Sequence, residues 1–467
     1  MRNKISCRII LFVMIYVFTG MVSAQSELDS LTIERYHTLS RSIVERALTD
    51  TVGYQWLREL CRIGPRFVGT EKSLKAIQWA KKIMEENGFD RVTLQPVQVP
   101  RWIRGDVETA EILKTPKTPH KQLSVAALGG SVPTPSEGLE AEVAEVPGLK
   151  ALEEMADEVR GKIVFFNEPM DPGMIQTFSA YGRAVGQRVQ GPARAAQAGA
   201  VGVIVRSVTT KYDNVPHVGT LAYVDSVTRI PAVAIGLRDA DGLHDALRED
   251  PHLRIRMELS CRNAPDTLSY NVFCELTGTE KPEEVIVVGG HFDSWDKGHG
   301  AHDDGACCLQ SLEVLHLLKR HSIRPRRTIR TVFFMNEEFG LNGAREYGKY
   351  AETSGEIHLA GIEADRGALT PRGFSVGSSP ATLKKMQSWL PFLSKALIEW
   401  VRKGGGGGDV AQIKNAGAYI GYVPDIQRYF DFHHSGNDVF SAVHPREFEL
   451  GAAAMTILAY LISEEGI

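Results

Sequence analysis

His291, Asp303, Glu337, Glu338, Asp365 and His434 set two imidazoles and four carboxylates at separate points of a 467-residue chain. Gly289-Gly290-His291-Phe292-Asp293 follows the apolar run Val285-Ile286-Val287-Val288. Asn336-Glu337-Glu338 follows Val332-Phe333-Phe334-Met335, and Asp365 ends the run Leu359-Ala360-Gly361-Ile362-Glu363-Ala364. Asp303-Asp304-Gly305 comes after a turn containing Gly298, Gly300 and His302. In open α/β sheets, ligands collect outside the carboxyl ends of the strands. Several strands are therefore expected to deliver oxygen and nitrogen donors into one cleft. That mixture of donors suits zinc, and a carboxylate shared by two ions suits a two-metal hydrolase.

Taken singly, each motif also has an ordinary structural explanation. His291-x-Asp293 puts an acid where it can accept the second ring proton of a metal-bound imidazole, but the same pair serves as a surface or capping feature. An aspartate at a helix start is a common N-cap. Two in a row exceed what a cap needs, and Asp303 can bridge two ions with one oxygen on each. Adjacent side chains on extended backbone point in opposite directions, so Glu337 and Glu338 are expected to divide the work. Glu338 is read as the ligand and Glu337 as the general base facing the substrate water; a pair of solvated helix-start acids is the alternative. Asp365, followed by Arg366-Gly367, also fits a surface turn. Chemistry alone does not choose between His433 and His434, and Asp438 stands where it can orient the ligand. The joint pattern, rather than any one motif, points to a metal site.

The elements that must position these residues follow from periodicity. Strand 284–289, helix 304–320, strand 328–335, helix 342–352 and strand 358–364 alternate as parallel βαβ units do. A last helix, Glu447 to Ser463, is apolar on one face. Nearer the start, residues 25–60 are mostly helical in pattern. Ser73 to Asn87 carries Ala76, Ile77, Ala80, Ile83 and Met84 at helical spacing, and Val92 to Val99 alternates like a strand. Between about 111 and 262 the runs are short and β-like (162–166, 201–205 and 230–235) around a small-residue helix at 193–200, with no metal-ligand pattern. The predicted fold is α/β: a mixed, mostly parallel sheet flanked by helices, formed by 25–110 and 263–467, with an inserted, mainly β domain at 111–262. Gly404 to Gly408 are five consecutive glycines. They fit a flexible linker or a loop whose bare backbone approaches a ligand; lying between folded segments of one domain favours the loop.

The length allows two domains. Arg2, Lys4 and Arg8, the mostly apolar Ile9 to Val22, and Val22-Ser23-Ala24 read as a secretory signal over residues 1–24. An uncleaved anchor is the rival. Export would make the mature protein secreted or periplasmic, without stable membrane insertion. A formal net charge of −4 with no basic block argues against nucleic acid as a partner. Five of the six cysteines follow the signal: Cys61, Cys261, Cys274, Cys307 and Cys308. None has CxxC spacing, which argues against a cysteine zinc site. Cys307 and Cys308 are expected to be buried, and Cys261 with Cys274 is a candidate bridge.

The stretches from Gly289 to Trp295, Gly300 to Gly305, Asn336 to Gly340, Glu363 to Asp365 and His434-Ser435-x-x-Asp438 resemble the co-catalytic di-zinc exopeptidase family. That family includes bacterial leucyl aminopeptidases, glutamate carboxypeptidase and the transferrin receptor ectodomain. Gly161 to Val164, Gly199 to Gly202 and Ile230 to Val233 resemble its inserted protease-associated domain. The resemblance implies two Zn2+ per chain. One is held by His291 and Asp365, the other by Glu338 and His434, and Asp303 bridges them. It implies Glu337 as base, Asp293 as the holder of His291, His434 rather than His433 by its spacing to Asp438, and a cis peptide at Asp303-Asp304. It places the glycine loop near the substrate and leaves room for a homodimer. The implied activity is that of a secreted zinc exopeptidase hydrolysing dipeptides or short peptides. The alternatives are a single-zinc glutaminyl cyclase-like transferase and a non-catalytic, receptor-like binding protein; the complete set of ligand positions argues against the latter. A free substrate amino terminus needs an acidic partner and a free carboxylate a basic or hydroxyl one, and the sequence offers both.

Overall fold

The computed structural model describes residues 28–467; the expected signal, 1–24, lies outside them. Two eight-stranded sheets organise the chain. The first has the spatial order Asp90–Ile103, Arg262–Leu276, Arg327–Phe334, Lys281–His291, Ile357–Glu363, Ala418–Pro424, Pro371–Gly377 and Trp400–Lys403. Its four central strands, from Arg327–Phe334 to Ala418–Pro424, run parallel, with antiparallel pairings on both sides of them. Every residue of Arg327–Phe334 is buried, as expected of a parallel strand covered by helices on both faces. Register decides what emerges at the strand ends. His291 lies opposite Phe334, and Gly289 opposite Glu363. Residues 291–293, 336–338 and 364–365 therefore leave the sheet along one edge.

Helices Ala306–Arg320 and Pro445–Glu465 pack on one face, backed by Ser30–Asp50, Val52–Ile63 and Glu71–Glu86; Asn342–Thr353 covers the other. The last helix differs from the expectation of a single apolar face, because all residues from Phe448 to Ser463 are buried. Helix Ser30–Asp50 lies over its outer side, and Ala452, Ala453 and Ala454 belong to the main core.

The second sheet runs from Glu108–Ile112 to Arg254–Leu259 in sequence. At its centre, Leu139–Val146, Ile163–Phe166, Gly202–Arg206 and Ala232–Ile235 are parallel. The expected mainly β character needs correcting, because five helices alternate with these strands, among them Thr177–Ala184, Gly191–Gln197 and Leu237–Glu249. The physical reason is that Ile163–Phe166 and Ala232–Ile235 are buried throughout and need cover on both faces. The candidate Cys261–Cys274 bridge is also absent: the five cysteines among the described residues are free and buried, so Cys307 and Cys308 are buried as expected.

Helices Ala306–Arg320 and Pro445–Glu465 bring Glu313 and Glu449 together inside the main domain with no basic partner among the described residues. Burial raises both carboxyls, Glu449 to about 7. The fold thus favours the protonated form. Its contribution is full below the unfolded value near 4.5 and is lost as pH rises through about 7. Raising pH from 5 to 8 should therefore lower the melting midpoint by several degrees. Glu449→Gln should flatten that dependence in a thermal-melt series; an unchanged slope would count against a proton shared by the pair.

Candidate metal centre

The strand Lys281–His291 ends with the His291 imidazole turned into the cleft. Its Nδ1 lies 3.0 Å from the Asp293 backbone carbonyl. That acceptor assigns the ring proton to Nδ1 and leaves Nε2 with a free lone pair. Nε2 stands 3.2 Å from Asp303 Oδ1 and 3.5 Å from Asp365 Oδ1. On the other side, His434 Nε2 is 3.5 Å from Asp303 Oδ2 and 2.8 Å from Glu338 Oε2. The two oxygens of Asp303 thus face two different imidazoles, each with a further carboxylate beside it.

Asp303 sits in the turn Ala301–Gly305 and is joined to Asp304 by a cis peptide. Two buried aspartates set the backbone around it. Asp438 accepts the amide N–H of His302 at 2.7 Å and of Asp303 at 3.1 Å, and Asp304 accepts that of His291 at 3.1 Å. Asp438 therefore holds the Asp303 turn, not His434 as the sequence suggested. Asp293 also needs correction. Its carboxylate lies 4.0 Å from His291 Nδ1, beyond hydrogen-bond range, and accepts instead the amides of Asn336 at 2.6 Å and Glu337 at 3.0 Å. Only its backbone carbonyl steadies His291; its side chain fixes the peptide that carries Glu337.

His434 is held from the second sheet's segment. Its Nδ1 donates to the Val218 carbonyl at 3.1 Å, and the Val218 amide donates to the His434 carbonyl at 2.9 Å. His433 stacks on it at 3.5 Å between ring centroids and also presents a nitrogen within 4.8 Å of an Asp303 carboxylate oxygen and a His434 nitrogen. Only His434 has the close Glu338 contact. Trp295 Nε1 donates to the same Glu338 Oε2 at 2.6 Å. The buried Arg66 donates to the carbonyls of Phe292 and His299 at 2.7 Å and of Gly300 at 2.9 Å, setting the loop between His291 and Asp303. Val218 and Arg66 act through backbone oxygens and had no spacing signal in the sequence. The glycine loop does approach the site. Gly408 lies beside Glu337 Oε1, and a Cβ at Gly407 would run into the Glu363 carboxylate.

The charges are those of a site built for cations. Burial raises Glu337 and Glu338 well above the usual carboxylate range, with neighbouring carboxylates adding and His291 opposing. Burial would raise Asp303 too, but the imidazoles of His291, His434 and His433 around it hold it low. His291 is raised against burial by Asp303 and Asp365, while burial depresses His434 to about 3. Asp303 Oδ2 and Glu338 Oε1 are buried without a hydrogen-bond donor, a state that calls for a ligand. Carboxylate and imidazole donors fit zinc, whose charge would also lower these acids. In front of the donors lies a cavity of about 280 Å³, walled opposite by Phe178, Tyr181, Arg188, Tyr429 and Phe430.

This fold and this donor set define a zinc metallopeptidase. Residues 271–460 match the profile of Peptidase family M28. The chain is 34% identical to Carboxypeptidase Q of Homo sapiens over 403 residues, 86% of this chain and 83% of that protein. It superposes on the structure of a Peptidase M28 precursor from Shewanella amazonensis with a TM-score of 0.87 and 30% identity, covering 92% of this chain and 97% of the other. A zinc aminopeptidase from Bacillus subtilis shares the fold, with a TM-score of 0.61 at 19% identity over 91% of this chain and 94% of its own. The chain belongs to peptidase family M28.

Proposed function

We propose that this protein is an exported exopeptidase that hydrolyses dipeptides and short peptides with two zinc ions. The observation that carries this reading is Asp303, whose two oxygens face His291 and His434 separately. His291, Asp303 and Asp365 would hold one ion, and Asp303, Glu338 and His434 the other. Zinc bound there supplies Lewis acidity toward the scissile carbonyl and makes water easier to deprotonate at neutral pH. Glu337 lines the cavity, while the carboxylates paired with the two imidazoles are those of Asp303, Asp365 and Glu338, so its Oε atoms are free to take the proton of the attacking water. The same carboxyl returns that proton to the leaving amine nitrogen as the C–N bond breaks. Asp293 keeps Glu337 in place through its peptide amide. The cavity of about 280 Å³ lies just below the usual range for drug-sized ligands, about 300–1,000 Å³, which favours small substrates. Export rests on the basic and apolar start of the chain.

A dipeptide panel, free and blocked at either end, run on protein whose zinc is measured in the same sample, tests this. The expected result is two zinc ions per chain, free amino acids as products, and loss of activity on chelation that added zinc reverses. Two zinc ions without cleavage of any dipeptide would overturn the reading. A single ion with a product formed by loss of ammonia would replace hydrolysis with cyclisation.

A further inference from the structure

Four backbone carbonyls in the stretch that ends at His434 are bonded from the second sheet's segment. Thr177 Oγ1 donates to the Ile426 carbonyl at 2.9 Å and Thr209 Oγ1 to that of Phe430 at 2.7 Å. His217 Nδ1 donates to the His433 carbonyl at 2.7 Å, and the Val218 amide to that of His434 at 2.9 Å. In return, Asn437 Nδ2 donates to Asp213 at 3.0 Å and His434 Nδ1 to the Val218 carbonyl, which also accepts Arg188 Nη1 at 3.0 Å. His217 and Ser435 form an isolated antiparallel bridge, and Thr209 and His217 are buried. The stretch has little regular structure of its own. Ile426–Asp431 is one short 3-10 helix, a form with poorly aligned hydrogen bonds. His434 stands at φ 60°, a left-handed conformation that is costly for a residue with a side chain and persists where its surroundings impose it. The other donors do not share this dependence. His291, Glu338 and Asp365 follow strands of the first sheet, and Asp303 is set by Asp438.

We propose that the second sheet's segment is a metal-retention clamp, with His217 as a positioning residue: its docking on residues 426–437 and the uptake of an ion at His434 are one coupled equilibrium. This rests on the two-zinc reading above. The coupling is reciprocal. An ion that binds His434 only in the docked state holds the segment down, and any loosening of the segment weakens that ion by the same factor. The ion at His291 and Asp365 has no such link, because its donors stand on the first sheet whether or not the segment is docked. The two sites should therefore respond differently to changes in residues that touch neither ion.

The test strips the mature protein with a chelator and returns zinc, following uptake by calorimetry and the backbone amides by hydrogen exchange. In the wild type, exchange at Val218 and across 426–437 should slow by about 100-fold at free zinc about a hundredfold above Kd. His217→Ala should weaken one ion by about 10–100-fold, the usual effect of losing a contact that orients a metal-bound histidine, and leave the other unchanged. His217→Asn, whose amide can donate from the place of Nδ1, should recover most of that loss. Thr209→Val keeps the shape of the side chain and should weaken the same ion. Exchange across 426–437 that ignores zinc would overturn the proposal. So would an equal weakening of both ions, or of neither, in His217→Ala and Thr209→Val. Uptake of a single ion by the wild type would end the two-zinc reading instead; slowed exchange across 426–437 would then still uphold the coupling, and unslowed exchange would end it as well.

Discussion

Glu337→Gln should leave zinc stoichiometry unchanged and lower kcat by a factor of about 10²–10⁴, the usual contribution of a positioned general base. Gln preserves the shape, and the backbone amide at 337 remains bound to Asp293. Neither imidazole of the donor set pairs with Glu337, whereas Glu338 touches His434 at 2.8 Å. The loss should therefore fall on proton transfer rather than on metal retention, with KM little changed. Steady-state kinetics and metal analysis on one preparation check this. A variant that turns over within a factor of ten of wild type, or that sheds an ion, would remove Glu337 from the base role.

Asp303→Ala should have the opposite signature. It removes the one carboxylate facing both imidazoles, so zinc content should fall below two per chain and hydrolysis to background. A ligand bound only by the native state stabilises it. Added zinc should accordingly raise the melting midpoint of the wild type by several degrees and leave that of the variant unmoved. The metal-free midpoints should stay close, because the turn around residue 303 is still held by Asp438 through main-chain amides. Retention of two ions by the variant would show that the site does not share this carboxylate.

The central sheet and the clustering of the candidate donors are legible in the sequence for the same reason. Runs such as Val285–Val288 and Val332–Met335 can be buried on both faces only as parallel strands under helices, and a polar residue directly after such a run emerges at the sheet edge. That rule singles out His291, Glu338 and Asp365 as candidates. Side-chain direction was less legible. Asp293 and Asp438 lie at the expected positions, but their carboxylates clasp consecutive peptide amides instead of imidazoles, and any strand-end acid has that choice. The Val218 carbonyl and the carbonyls gathered by Arg66 carry no residue-type signature at all. Helix Leu237–Glu249 is hidden in a segment whose strongest signals are short β-like runs, and the last helix looks one-faced in sequence because its covering by Ser30–Asp50 is a tertiary fact.

The Val218 oxygen gives the molecule an unusual economy. A peptide unit contributed by the smaller sheet's segment steadies both the His434 ring of the candidate donor set and the buried Arg188 guanidinium that lines the same cavity. Prising the two halves of the protein apart by even a hydrogen bond's length would loosen both side chains together. An inhibitor wedged at that seam would not need to touch zinc.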